Sequence, residues 1–143
     1  MKPIKILLVE DNEGDIILTK EALADGKVHN TIDVVRDGEQ AISYLLDKKE
    51  KGGHELPDLI LLDINLPKVD GKEVLVFIKN DDLFKLIPVV VLTTSSAETD
   101  ILDAYEKHAN CYITKPVDLD KFFSIVRDIE KFWVTIVKLP PIE

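Results

Sequence analysis

One cysteine, Cys111, is present, so the chain can form no internal disulfide. A reducing compartment, the cytoplasm, is the expected location. No apolar run approaches the roughly 18 residues of a membrane helix, and Met1-Lys2-Pro3 opens no signal-peptide core. Basic residues are in deficit, with 18 Lys and Arg against 27 Asp and Glu, for a net charge of −9. An acidic chain repels phosphate backbones and anionic headgroups, which argues against direct nucleic-acid binding and membrane attachment. There is no internal repeat, no low-complexity tract and no G-x-x-x-x-G-K-[ST] loop, so a P-loop nucleotide hydrolase is excluded.

What remains is an ordinary globular balance of 45% hydrophobic and 31% charged residues over 143 positions, a length suited to one domain. Short apolar runs at 4–9, 31–35, 59–62, 89–92 and 111–114 alternate with longer amphipathic stretches. The continuously apolar runs read as strands covered on both faces. The second run alternates Ile32 and Val34 with polar neighbours, as an edge strand does.

Helical spacing predicts helices over 13–24 (Ile16, Ile17, Lys20, Leu23) and 39–49 (Ala41, Ile42, Leu45, Leu46). A third follows Gly71 (Val74, Leu75, Phe77, Ile78), and a fourth spans 98–108 (Ile101, Leu102, Tyr105). A fifth starts near Asp118. Five βα units imply an α/β fold, a doubly wound parallel sheet with helices on both faces. The polar tract 48–57 (KKEKGGHELP) reads as a surface insertion.

Ligand sites in such sheets lie beyond the carboxyl ends of the strands. Strand 1 ends in Glu10-Asp11, strand 3 in Asp63, strand 4 in Thr93 and strand 5 in Lys115. Taken alone, Glu10-Asp11 is equally readable as a helix cap. Were strands 1 and 3 adjacent, however, three carboxylates would converge, at a cost of several kcal/mol if uncompensated. A divalent cation relieves that cost, and an all-oxygen donor set points to Mg²⁺. With the Lys115 ammonium and the Thr93 hydroxyl, the set suits a phosphoryl group. In the loop 63–71, Asn65 is either a turn residue or a metal ligand through its carbonyl. Lys115-Pro116 is compatible with either peptide isomer.

These residues resemble the response-regulator receiver domain, the CheY-like superfamily of two-component signalling. The resemblance covers 4 to 133 and rests on Glu10-Asp11, Asp63, Thr93 and Lys115-Pro116, with Tyr112 where receivers place an aromatic switch residue. It implies a (βα)₅ fold with strand order 2-1-3-4-5. It implies that Asp63 accepts a phosphoryl group from a histidine kinase or from acetyl phosphate. It also implies that Asp11, Asp63 and the Asn65 carbonyl hold Mg²⁺, with Glu10 acting through water. Lys115 and Thr93 would contact the phosphoryl oxygens, and Thr93 and Tyr112 would switch the face of the fourth helix, fifth strand and fifth helix.

The implied role is a signalling phosphoacceptor, not an enzyme, which assists its own phosphorylation and dephosphorylation. Ser95 and Asn65 stand where receivers tune phosphoryl lifetime, so no lifetime carries over. The insertion 48–57, the runs 89–95 and 111–115 and the pair Phe132-Trp133 resemble the cyanobacterial phytochrome response regulators. Those are single receivers, often dimeric, that serve bacteriophytochrome or related hybrid kinases.

In the fifth helix Leu119, Phe122, Val126, Ile129, Trp133 and Ile136 form one stripe, with Phe123, Ile125, Phe132 and Val137 outside it. The stripe is either a wide core face or a core face plus a homodimer contact, for which Phe123, Phe132 and Trp133 are the candidates. The β-branched run 134–137 weakens helix propensity, and Pro140-Pro141 cannot be helical, so 134–143 is expected to be a C-terminal extension. The expectation is therefore one receiver domain over 1–143, with no effector domain of its own. Its output would be a protein effector or a histidine phosphotransfer domain.

Two rivals fit less well. Aspartate-phosphorylating phosphatases of the haloacid dehalogenase type carry Asp-x-Asp on the first strand, whereas here Asp63 is on the third and Asn65 fills the second position. A flavodoxin-like module needs a Ser/Thr/Gly-rich loop after strand 1, where Asp11-Asn12-Glu13-Gly14-Asp15 would repel a phosphate.

Overall fold

Strand side chains point alternately to the two faces of a sheet, and here both faces are apolar. The computed structural model describes residues 4–24, 30–93, 98–109, 111–114 and 124, except the side chains of 93, 98–100, 111 and 113. The elements run β1 (Ile4–Val9), α1 (Glu13–Ala24), β2 (Asn30–Val35), α2 (Gly38–Glu50), β3 (Leu59–Leu62), α3 (Gly71–Lys79), a 3₁₀ turn (Phe84–Leu86), β4 (Val89–Thr93), α4 (Glu98–Glu106) and β5 (Cys111–Thr114). All pairings are parallel, as the alternation of strand and helix predicts, and the order is β2-β1-β3-β4-β5, as the receiver resemblance implies.

Alternation splits the core in two. Leu7, Val9, Ile60, Leu62, Val89 and Val91 face α2 and α3, meeting Ala41, Leu45, Val74, Leu75 and Ile78. Ile6, Leu8, Leu59, Leu61, Val90 and Leu92 face Ile16, Ala22 and Leu23 of α1. Each fully buried Leu, Ile or Val contributes on the order of 1.5–3 kcal/mol of transfer free energy. β2 is the edge strand expected, with Ile32 half-buried between exposed Thr31 and Asp33, and Val34 half-buried between exposed Asp33 and buried Val35.

Three helices differ in detail from the periodicity. α1 buries Ile16, Thr19, Ala22 and Leu23, and Ile17 is about half exposed (48%). Its seated face is one position away from the expected stripe, because small Thr19 and Ala22 allow closer approach to the sheet than Ile17 and Lys20 would. In α2, Leu46 stays exposed while Ala41 and Leu45 are buried. In α4, Ala104 is buried while Leu102 and Tyr105 are exposed.

α4 also ends earlier than His108. The Ala109 N–H donates to the Ala104 carbonyl and the His108 N–H to the Tyr105 carbonyl, both at 3.0 Å. With His108 at φ 69°, this is a Schellman cap that closes the helix at Glu106.

The tract 48–57 is not all loop. Residues 48–50 form the last turn of α2, where lysines complement the helix C-terminus. Gly52 and Gly53 donate to the Lys49 and Lys48 carbonyls at 3.1 and 2.9 Å and turn the chain away. The rest of the tract is anchored by buried Leu56, and Lys49 of the helix turn lies with its Nζ 2.7 Å from Asp81 Oδ2. The fifth helix, the extension 134–143 and Phe123, Phe132 and Trp133 lie outside the described residues.

Candidate functional site

Register brings the site together. β1 and β3 pair Val9 with Leu62, so Glu10 and Asp63 stand at the next register position of adjacent strands. Backbone bonds extend the ladders across them: the Asp63 N–H donates to the Val9 carbonyl and the Glu10 N–H to the Val35 carbonyl, both at 3.0 Å. The carboxylates of Glu10, Asp11 and Asp63 then converge, each offering an oxygen within 4.8 Å of the others. Glu10 and Asp63 are buried at 2% and 8% exposure, and Asp11 is open to solvent.

The capping alternative for the acidic pair fails. Asn12 is the N-cap of α1: its Oδ1 accepts the Asp15 N–H at 2.9 Å, and its carbonyl accepts the Ile16 N–H at 3.0 Å. Sequence reasoning passed over Asn12, although a cap residue directly before a helical run is a readable signal. Glu10 Oε1 accepts the Asn12 N–H and Asp63 Oδ1 accepts the Asn65 N–H, both at 3.1 Å. Each bond ties a carboxylate to the backbone two residues on and fixes its orientation.

Two nearly buried carboxylates and a third beside them repel one another and lose hydration. A hard divalent cation with oxygen ligands offsets both costs, so the donor set fits one. Asn65 is exposed in the loop that leaves β3. That loop closes tightly. The Gly71 N–H donates to the Ile64 carbonyl at 2.9 Å, and Asp70 caps α3 by accepting the Lys72 N–H at 2.7 Å. A Cβ at Gly71 would lie 2.2 Å from the Asp63 carbonyl oxygen, so no other residue fits without displacing the end of β3.

Thr93 closes β4, paired with Thr114 of β5, and its side chain lies outside the described residues. Tyr112 pairs with Val91, is half-buried against the α2–α3 core, and donates its N–H to the Tyr105 hydroxyl at 3.2 Å. Lys115, Pro116 and Ser95 lie outside the described residues.

Charge at the junction of α3 and α4 is paired. Lys72 of α3 approaches Asp103 of α4 at 3.3 Å, and Lys107 also bonds Asp103. Those hydrogen bonds, led by that of Lys107, hold the Asp103 carboxyl below its ordinary range. At the opposite end of the sheet, burial alone would raise the Asp81 carboxyl. The Lys49 ammonium and the Phe84 and Leu83 amides outweigh it and hold the group below its ordinary range.

The sequence profile described as "Response regulator receiver domain" matches residues 6–127. The chain belongs to the response regulator receiver domain family. It is 46% identical over 138 residues to response regulator Rcp1 from Synechocystis sp., covering 96% of this chain and 94% of that protein. Its fold matches the crystal structure of the phosphorylated cyanobacterial phytochrome response regulator RcpA at TM-score 0.92 and 51% identity, covering 98% of this chain and 100% of that one. It also matches the Mn²⁺-bound form of Rcp1 at TM-score 0.90 and 46% identity, covering 97% and 100%.

As a receiver, the protein is a phosphoacceptor component of two-component signalling, a family whose members bind a divalent metal, and its acidic cluster has a donor set that fits one. Among the described residues no helix is long and apolar enough to cross a membrane.

Proposed function

We propose that Asp63 is the phosphoacceptor and that Mg²⁺ is its physiological cation. The observation that carries this reading is the convergence of the Glu10, Asp11 and Asp63 carboxylates at adjoining strand ends. In this reading Asp11, Asp63 and the Asn65 carbonyl hold the cation, with Glu10 acting through water. When bound, the cation neutralises charge on the phosphoryl oxygens.

The Asp63 carboxylate attacks the phosphorus of a histidine kinase's phosphohistidine. A P–O bond forms as the P–N bond breaks, and the imidazole leaves. Lys115 and Thr93 contact the phosphoryl oxygens, and Tyr112 responds with Thr93. The new dianion then shifts the population of conformers presented by α4, β5 and the helix expected to follow. The chain works as a signalling protein, not an enzyme, and assists only its own phosphorylation and dephosphorylation. It is one receiver domain over 1–143 with its core at 4–133.

The likeness to the phytochrome response regulator RcpA supports a bacteriophytochrome-like or hybrid sensor kinase as donor. In this reading the protein also lies in the cytoplasm, as a homodimer using Phe123, Phe132 and Trp133. Output passes to an effector protein or a histidine phosphotransfer domain. Incubation with acetyl phosphate and Mg²⁺ followed by intact mass tests the acceptor. One added phosphate is expected, lost in Asp63→Asn and on chelation. Labelling retained in Asp63→Asn refutes the assignment. Lys115→Ala should keep cation binding while uncoupling phosphorylation from the switch. Light scattering tests the dimer, and a strict monomer at high concentration, with and without a phosphoryl mimic, would sink it.

A further inference from the structure

We infer that Gly38, on the first turn of α2, is a positioning residue for the divalent-cation site, acting through the loop that carries Asn65. The inference rests on the reading of the Asn65 carbonyl as a ligand. The start of α2 is fixed in place. Asp37 is its N-cap, buried at 6% exposure, and accepts the Gln40 N–H at 2.7 Å. Ala41 and Leu45, on the same helix, are fully buried against the sheet.

Against this fixed end rests the loop 63–71. A Cβ on Gly38 would lie 1.9 Å from the Val69 carbonyl oxygen, 2.7 Å from its carbonyl carbon and 2.8 Å from its Cβ. No real Cβ tolerates such contacts, so Gly38 lets the Val69 backbone lie directly on the helix. Beside it Lys68 adopts a left-handed φ of 63° and reaches its ammonium to 3.7 Å from Asp37 Oδ2.

The loop is therefore seated at two contacts without a Cβ, Gly71 against Asp63 where the loop closes and Gly38 against Val69, two residues before Gly71. Asn65 lies on the span between Asp63 and Val69. A methyl at position 38 must move either helix or loop by more than an ångström. The helix is held by fully buried Ala41 and Leu45, whereas Leu66 and Val69 of the loop are only partly buried against the core. The loop yields, and a ligand carried on it leaves the geometry the cation demands.

Mn²⁺ titration of the full chain, with free ion read by electron paramagnetic resonance, tests this beside thermal melts. Gly38→Ala is expected to weaken Mn²⁺ binding about tenfold or more. Leu45→Val, a destabilising change in the same helix, is expected to lower Tm while leaving Mn²⁺ affinity at the wild-type value. A folded Gly38→Ala that binds Mn²⁺ like wild type overturns the inference. So does a Leu45→Val whose affinity falls in step with its stability. If Gly38→Ala fails to fold, Asp37→Ala replaces it. That change frays the first turn and adds no atoms, several-fold weaker binding is expected, and wild-type affinity overturns the inference. Asp63→Asn separates the two levels: if it binds Mn²⁺ as tightly as wild type, the underlying site reading fails.

Discussion

The amide of Asp63 donates to the carbonyl of Val9 at 3.0 Å. This bond carries the β1–β3 ladder one residue beyond β3 and holds Asp63 beside Glu10. The site is thus an extension of sheet register rather than of loop chance.

Asp11→Asn should weaken divalent-cation binding by about tenfold or more while leaving the metal-free protein as stable as wild type, or more so. Like-charge repulsion falls when one carboxylate is neutralised. Calorimetric titration and melts in chelator check both halves. Unchanged affinity with a lower metal-free Tm would make Asp11 a scaffold residue.

Asn12→Ala should behave in the opposite way. Loss of the cap on α1 costs about 1 kcal/mol, while cation affinity holds. Urea unfolding of the metal-free protein measures the first, and the same titration measures the second.

Asp81 makes the acid limb of stability steeper. Its folded pKa lies below the unfolded one, so its contribution is complete above the unfolded value near 4 and is lost as pH falls through the folded value. Unfolding free energies measured from about pH 6 downward should fall less steeply in Asp81→Asn than in wild type. Equal slopes would mean that the Lys49 pairing does not persist in solution.

Lys72 and Asp103 join α3 to α4 across a partly exposed contact. A double-mutant cycle with Lys72→Met and Asp103→Asn should give a coupling below about 1 kcal/mol, shrinking at high salt. Coupling that salt leaves untouched would contradict a screened surface pair.

Phe84 is fully buried in the 3₁₀ turn, its ring centroid 5.6 Å from that of Phe77 and 5.4 Å from the Lys49 ammonium. Phe84→Ala should cost on the order of 3–5 kcal/mol in chemical denaturation. A loss near 1 kcal/mol would show that the neighbouring side chains collapse into the space.

The sequence was most legible where a local rule acts alone. Apolar runs placed β1, β3 and β5 at their observed limits: β3 is apolar and buried throughout, while β1 carries Lys5 near its start and β5 ends in exposed Thr114. Helix faces were less legible. Ile17 of the expected stripe is half exposed and Thr19, outside that stripe, is buried, because closeness of fit against the sheet outranks hydrophobicity residue by residue. The end of α4 escaped periodicity because His108 adopts a left-handed conformation that residue type alone does not announce.

For the site, the chain order of residues determined which groups arrive at the carboxyl ends of the strands: Glu10, Asp11, Asp63, Thr93 and Lys115. It could not decide whether the acidic pair caps a helix or faces Asp63, since either use satisfies the same local preferences. Pairing of β1 with β3 decided that, by placing residues distant in sequence one strand spacing apart and leaving the cap to Asn12. Only tertiary structure likewise set Gly38 under Val69, a contact whose distance no spacing encodes. Local chemistry is written in neighbouring residues, but carboxylate convergence and close backbone approach are properties of how strands and loops pack.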